Sequence, residues 1–292
     1  LMFQTNMGGA GDVTVVDQIA PRLANTMFLA AVTALIAVPI AVTLGVLSLY
    51  VVRGPATREH VLFQRIWRPD PEAFREVFRL GWPIGLTNLA ESGMFSASAL
   101  IIGLIGTLPL AAHGIALQIT AATFMIHVGL SQAATVRAGR AMGRKDWSGL
   151  AVGAQAVVLL SFGAVVLATI AFLAVPDLLM TGFLDPESAD RDAVLAIGAS
   201  LLAVAALFQL VDAGQVMALG LLRGMQDTRW PMYAAAISYW GLGIPASYVL
   251  GVMLGFGGVG VWLGLVIGLL FASAALWWRY VHRLRELREA AG

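Results

Sequence analysis

The sequence contains no cysteine, and only 12% of its 292 residues are charged. Without thiols there is no disulfide framework, no thiolate nucleophile and no cysteine-ligated metal, although the redox compartment is left open. Charge at half the ~25% usual in soluble domains excludes an ordinary water-soluble globule. The net charge of +1 says nothing about nucleic acid in so apolar a chain, and no nucleic-acid partner is expected. What the chain has in quantity is apolar length: 59% of its residues are hydrophobic and the mean hydropathy is +0.83.

Runs longer than the ~18 to 20 residues that cross a bilayer as a helix predict an all-α membrane protein, a polytopic bundle of about seven transmembrane helices. They fall at 23–52, 80–104, 112–136, 150–175, 193–222, 230–254 and 259–278. The first is too long and too late to be a cleaved signal peptide. Basic residues alternate with the spans. Arg53 to Arg79 contains six arginines after the first span, Arg137, Arg140, Arg144 and Lys145 follow the third, Arg223 and Arg229 follow the fifth, and Arg279, Arg283, Arg285 and Arg288 follow the last. Because Lys and Arg are retained on the cytoplasmic side, the carboxyl terminus is expected in the cytoplasm of a multi-pass plasma (inner) membrane protein.

Four regions follow. Residues 1–22 are an irregular amino-terminal segment, 23–52 a single transmembrane helix, 53–79 a basic cytoplasmic linker whose last part reads as an amphipathic interfacial helix, and 80–292 a six-helix transmembrane lobe with a cytoplasmic tail. The odd span count and a first residue that is Leu1 rather than Met lead us to expect that upstream sequence is missing.

Two carboxylates interrupt the spans: Glu91 in the second and Asp212 in the fifth. A carboxylate in hydrocarbon costs on the order of 3 kcal/mol or more unless it is solvated, paired or protonated, so each is a functional candidate. Glu91 lies about ten residues past Gly81 and Asp212 eleven before Arg223, which at 1.5 Å per residue puts both near the membrane midplane. Asn88, Thr87 and Ser98 share the Glu91 face at helical spacing, while Phe208, Gln209 and Gln215 flank Asp212, and Gln118 and His113 are available from the third span. An oxygen-rich, thiol-free set suits Na⁺ or H⁺ rather than a transition metal. The bland alternative is that the acids are structural, paired with a hydroxyl, amide or carbonyl, and His113 and His127 read first as core histidines. Met and Phe at helical spacing read as packing, which a polyspecific pocket would share.

From Phe74 onward the chain resembles the carboxyl-terminal lobe of a multidrug and toxic compound extrusion (MATE) transporter of the NorM-like branch. The resemblance is carried by Leu80-Gly81-Trp82-Pro83 leading to Glu91, by Ala112-His113-Gly114 and Arg137-Ala138-Gly139-Arg140, and most specifically by Asp212-Ala213-Gly214-Gln215, Arg223-Gly224-Met225-Gln226-Asp227-Thr228 and Ser238-Tyr239-Trp240-Gly241. It implies twelve helices in two six-helix lobes, with the first span here standing as the sixth, and a cation site formed by the acids that match Glu91 and Asp212. Some relatives place a tyrosine where this sequence has Phe208, so the resemblance implies a shell completed by another group. It also implies secondary active efflux of small organic, often cationic, compounds in antiport with Na⁺ or H⁺, no cofactor, no enzymatic activity, and a missing amino-terminal lobe or second chain as the partner needed for transport.

Three other readings weaken on particular residues. A lipid-linked saccharide flippase of related fold would line its cavity with basic residues, and no Lys or Arg falls inside a span. A retinal-type receptor needs a lysine in a helix, and the single lysine, Lys145, lies between spans. An intramembrane aspartyl protease would show Gly-x-Gly-Asp and two Asp rather than Glu with Asp. A non-transporting remnant or structural membrane protein stays open as an alternative.

Overall fold

The structure is a computed structural model that describes residues 31, 34, 35, 37–47, 50, 70–184 and 189–290. Its described residues are helical almost throughout. A short apolar helix α1 (Ala37–Leu47) belongs to a separate unit, residues 1–71. Residues 72–292 form the second unit. It contains α2 (Pro71–Ile105, whose first residue falls in the other unit), α3 (Thr107–Arg144), α4 (Trp147–Ala174), the short α5 (Pro176–Thr181), α6 (Arg191–Gly224), α7 (Arg229–Met253) and α8 (Gly257–Glu289). Six of these, all but α1 and α5, are long and apolar enough to cross a membrane. They are the six spans expected of the lobe. Half of the predicted 23–52 span, the linker from 53 to 69 and the segment 1–22 lie outside the described residues.

The predicted interfacial helix is continuous with the span that follows it, because nothing between Pro71 and Gly81 breaks the helix. Only Pro83 lies further inside, and the Thr87 hydroxyl donates to the Pro83 carbonyl at 2.8 Å one turn on. Between α3 and α4 the chain turns within two residues. Lys145 takes a left-handed conformation (φ 56°), the Asp146 N–H reaches back to Ala141 O at 2.9 Å, and the Asp146 carboxylate caps α4 by accepting from the Gly149 N–H at 2.8 Å. The same closure ends α6, with Gln226 at φ 61° and the Asp227 N–H on Leu222 O at 2.9 Å.

The lobe is centred on α6 and α8, the two helices with the most buried spans. Bilayer-facing helices cannot rely on the hydrophobic effect to associate, so small residues and hydroxyls bring them together. Along α3 and α6, Ser131 Oγ donates to Val216 O at 2.7 Å and Thr135 Oγ1 to Gly220 O at 2.9 Å, with Gly220 and Gly224 leaving room for the backbone of α3. Along α7 and α8, Gly243 and Gly268 meet backbone to backbone, and Ser247 Oγ bonds Val261 O at 2.9 Å. Here α7 widens into two π-helical stretches, Ile237–Gly243 and Val249–Met253, on either side of the turn opened by Pro245. Proline lacks an N–H and crowds the preceding turn, which the wider coil relieves. Outward from this frame project Leu100, Leu159, Leu167, Phe162 and Phe271, each more than half exposed, as lipid-facing side chains are.

Candidate functional site

On α2 the buried residues Pro83, Thr87, Met94, Ser98 and Ile101 recur every three or four positions, and Glu91 falls on this stripe, half-buried. On α6, Phe208, Gln209, Asp212 and Gln215 are all buried. The structure brings the two acids together: Glu91 lies within Coulombic reach of Asp212. Among the described residues neither acid takes part in a salt bridge. Asp212 Oδ1, Gln209 Oε1 and Gln215 Oε1 are buried oxygens without a hydrogen-bond donor. Buried polar atoms are nearly always paired, so three unpaired acceptors at helical spacing on α6 are exceptions that set this face apart.

The surrounding bonds leave these oxygens available. Gln209 Nε2 donates to Thr123 Oγ1 on α3 at 2.9 Å, and Gln215 Nε2 donates to the hydroxyl of Tyr239 on α7. Each amide is thereby held through its nitrogen. Tyr239 is fully buried and within Coulombic reach of both Glu91 and Asp212. A phenol is therefore present beside the acids, although it comes from α7 and not from the Phe208 position. Phe208 itself joins a row of rings, Phe95, Phe208, Trp262 and His113, with successive centroids 5.9, 5.5 and 5.8 Å apart. That row packs the lobe under the site and gives Phe208 a role in walls, not in ligation. His113 Nδ1 accepts from Trp262 Nε1 at 3.1 Å and His127 Nδ1 pairs with Ser161 Oγ at 3.0 Å, the core roles expected of them.

Two sequence candidates are placed differently. Gln118 is exposed on α3, on the side opposite the buried His113, Ala116 and Thr120, so it stands apart from the acid pair and can serve only as lining. Helical rotation is the reason, since 118 is about half a turn from 113, 116 and 120. Asn88 is exposed and engaged by a residue that sequence reading took only as a topology marker: Arg223 Nη2 donates to Asn88 Oδ1 at 3.0 Å. The Arg223 guanidinium is also within Coulombic reach of Glu91. Trp240 Nε1 bonds Ala90 O at 3.1 Å, and a Cβ at Gly93 would fall 2.8 Å from the Trp240 ring. Tyr239, Arg223 and Trp240 were the residues missed. Their signal lay in the Arg223-Gly224 and Ser238-Tyr239-Trp240 motifs, which bring α6 and α7 to α2.

Comparison with known proteins places this geometry in a family. The MatE family profile matches residues 83–249, more than half of the chain. A probable multidrug resistance protein NorM of Agrobacterium fabrum is 46% identical over 242 residues, covering 82% of this chain and 52% of that protein. Its counterpart in Rhizobium meliloti is 44% identical over 250 residues, covering 86% and 53%. The chain thus spans about half the length of the curated relatives it matches. Among solved structures, an outward-facing multidrug resistance MATE family transporter superposes with a TM-score of 0.70 at 19% identity, over 77% of this chain and 50% of that one. A MATE protein in complex with MaL6 gives 0.69 at 19% identity, over 76% and 49%. With a matching profile, relatives at this identity and one lobe's worth of shared fold, the chain belongs to the MatE family, in its NorM-like branch.

Proposed function

We propose that this chain is the ion-coupling lobe of a secondary active multidrug exporter of the plasma membrane, exchanging Na⁺ or H⁺ for organic, often cationic, compounds. The observation that carries the reading is the pairing of Glu91 with the buried Asp212, whose Oδ1 has no donor, beside the hydroxyl of Tyr239. A cation or proton entering there neutralises charge that is otherwise costly in hydrocarbon. It also bridges α2 to α6. α2 is held to the lobe by side chains, through the core contacts of Met94, Ile101 and Ile102 and the bonds from Arg223 and Trp240, and is the element that an ion would draw toward α6. The distribution of arginines supports a cytoplasmic carboxyl terminus. Alternation between two sides needs a second lobe to rock against, so the working unit includes an amino-terminal lobe or a second chain. The energy comes from the ion gradient, and no cofactor enters.

The test has two readouts. Na⁺ or added protons should raise the melting temperature of the 292-residue chain, and Glu91→Gln and Asp212→Asn should abolish that rise. Cells expressing the chain with the amino-terminal lobe of a relative should export a fluorescent organic cation in an ion-dependent way. Unchanged ion-driven efflux in both variants would overturn the proposal.

A further inference from the structure

Away from the acid pair, at the arginine-bearing end of the lobe, a cavity of about 290 Å³ opens between the start of α2 and the turn from α6 to α7. It is lined by Arg79, Leu80, Gln226, Asp227, Thr228 and Arg229. We propose that this cavity binds a phosphate group, and that in the membrane the group is the headgroup of an anionic phospholipid.

Four independent features agree. The cavity sits at the amino terminus of α7, where the first backbone N–H groups have no partner inside the helix and the helix dipole favours an anion. Thr228 precedes this helix and is only 5% exposed, yet its side chain does not cap α7 and has no hydrogen-bond partner among the described residues. Its hydroxyl lines the cavity uncommitted to the protein and is a donor available to an occupant. Arg79 and Arg229 both line the cavity, and among the described residues neither is in an ion pair. The one carboxylate present, Asp227, is already answered by Arg279, whose Nε lies 2.6 Å from Oδ2. That leaves a net positive lining of two planar guanidinium forks, the geometry that suits phosphate oxygens.

The turn that forms the floor is fixed. Gln226 holds a left-handed conformation, its N–H bonds Arg223 O at 3.0 Å and the Asp227 N–H bonds Leu222 O at 2.9 Å, so the backbone donors of the turn are spent in shaping it. The level also fits a headgroup. Trp82, one turn past Arg79, is 36% exposed, and Trp230, next to Arg229, packs at a tilt against Trp278 and lies under the Arg279 guanidinium at 5.8 Å. Tryptophans of this kind mark the membrane–water interface, and basic pockets between helix ends at that level take anionic headgroups. The inference does not depend on the function of Glu91 and Asp212.

The experiment measures binding of phosphatidylglycerol and phosphatidylcholine to the 292-residue chain by native mass spectrometry, alongside melting temperature with inorganic phosphate against chloride at equal ionic strength. Four proteins are compared: the unaltered chain, Arg79→Gln/Arg229→Gln, Thr228→Val, and Arg137→Gln/Arg140→Gln, which removes the same charge from exposed positions on α3. A lipid headgroup is indicated if phosphatidylglycerol outcompetes phosphatidylcholine, loses about tenfold in the Arg79/Arg229 variant and a few-fold in Thr228→Val, but is retained in the Arg137/Arg140 variant. A soluble phosphate compound is indicated if inorganic phosphate raises the melting temperature and the same two variants remove the effect; the phosphate site then stands and the lipid assignment falls. Equal losses in the two double-arginine variants, or no loss in any variant, would overturn the site.

Discussion

Arg223, in the last turn of α6, reaches across to α2 and donates from Nη2 to Asn88 Oδ1 at 3.0 Å, one helical turn from Glu91. The bond does two things at once. It supplies a polar tie to a helix with little close backbone packing, and it stations a positive charge beside one of the two membrane acids.

The first prediction concerns that tie. Replacing Asn88 with Ala removes the acceptor of a charged hydrogen bond, which partial exposure discounts to about 1 kcal/mol. Because Met94, Ile101 and Ile102 keep the second half of α2 in the core, the loss should be local to the turns around Asn88. Hydrogen exchange of the amides from Thr87 to Met94 should quicken several-fold while α6 and α8 keep their protection. Equal protection along α2 in the variant and the unaltered chain would show that the tie holds nothing.

A second prediction follows from Asp212. Its Oδ1 has no donor and its side chain is almost wholly buried, so without a bound cation the carboxylate costs stability. Asp212→Asn removes the charge while keeping the shape. In Na⁺-free buffer at neutral pH the variant should melt higher than the unaltered chain, by the equivalent of about 1 to 3 kcal/mol. A lower melting temperature would mean that a partner already satisfies the acid.

The sequence made the architecture legible because a bilayer leaves few options. Every apolar run between 80 and 278 became a helix, and the arginine groups marked the ends of the spans. Glu91 and Asp212 stood out by solvation cost alone, and antiparallel counting brought them to one level. What stayed hidden was the rotation of each helix about its axis. Gln118 and His113 are five residues apart on α3, yet one is exposed and the other buried. Nothing in composition distinguishes their faces when the surrounding solvent is as apolar as the core. Long-range partners were hidden for the same reason. Tyr239 and Arg223 reach the acids by side chain from other helices, and although both stand in motifs, spacing along the chain does not say which helix they face.

The third prediction tests the α7–α8 contact. A Cβ placed on Gly268 would stand 2.7 Å from Gly243 Cα and 3.0 Å from Ser238 O, both backbone atoms that cannot rotate away. Gly268→Ala should therefore cost about 1 to 3 kcal/mol through overpacking. Gly81 and Gly85 on α2 meet nothing within 4 Å. Alanine at either should be neutral or stabilising by up to about 1 kcal/mol, since it removes backbone freedom from the unfolded chain. A thermal melt of the three variants separates the cases, and equal shifts would contradict the close approach.

The last prediction is a pH dependence at the α3–α4 turn. Asp146 is exposed, and its carboxyl is held below 3.8 by the Gly149 N–H first, then by the Ser148 hydroxyl donating at 2.9 Å and by the charge of Arg144. A carboxyl depressed in the folded state contributes stability that is present above its unfolded value and fades as pH falls through the folded one. The melting-temperature difference between the unaltered chain and Asp146→Ala should hence be constant from neutrality down to about pH 5 and shrink steadily toward about pH 2. Asp146→Asn retains an acceptor for the cap but cannot titrate, so its margin over the alanine variant should stay flat across the same range. If the margin of the unaltered chain widened on acidification, the cap would be bonding through its protonated form, and the short bond from Gly149 would need another explanation.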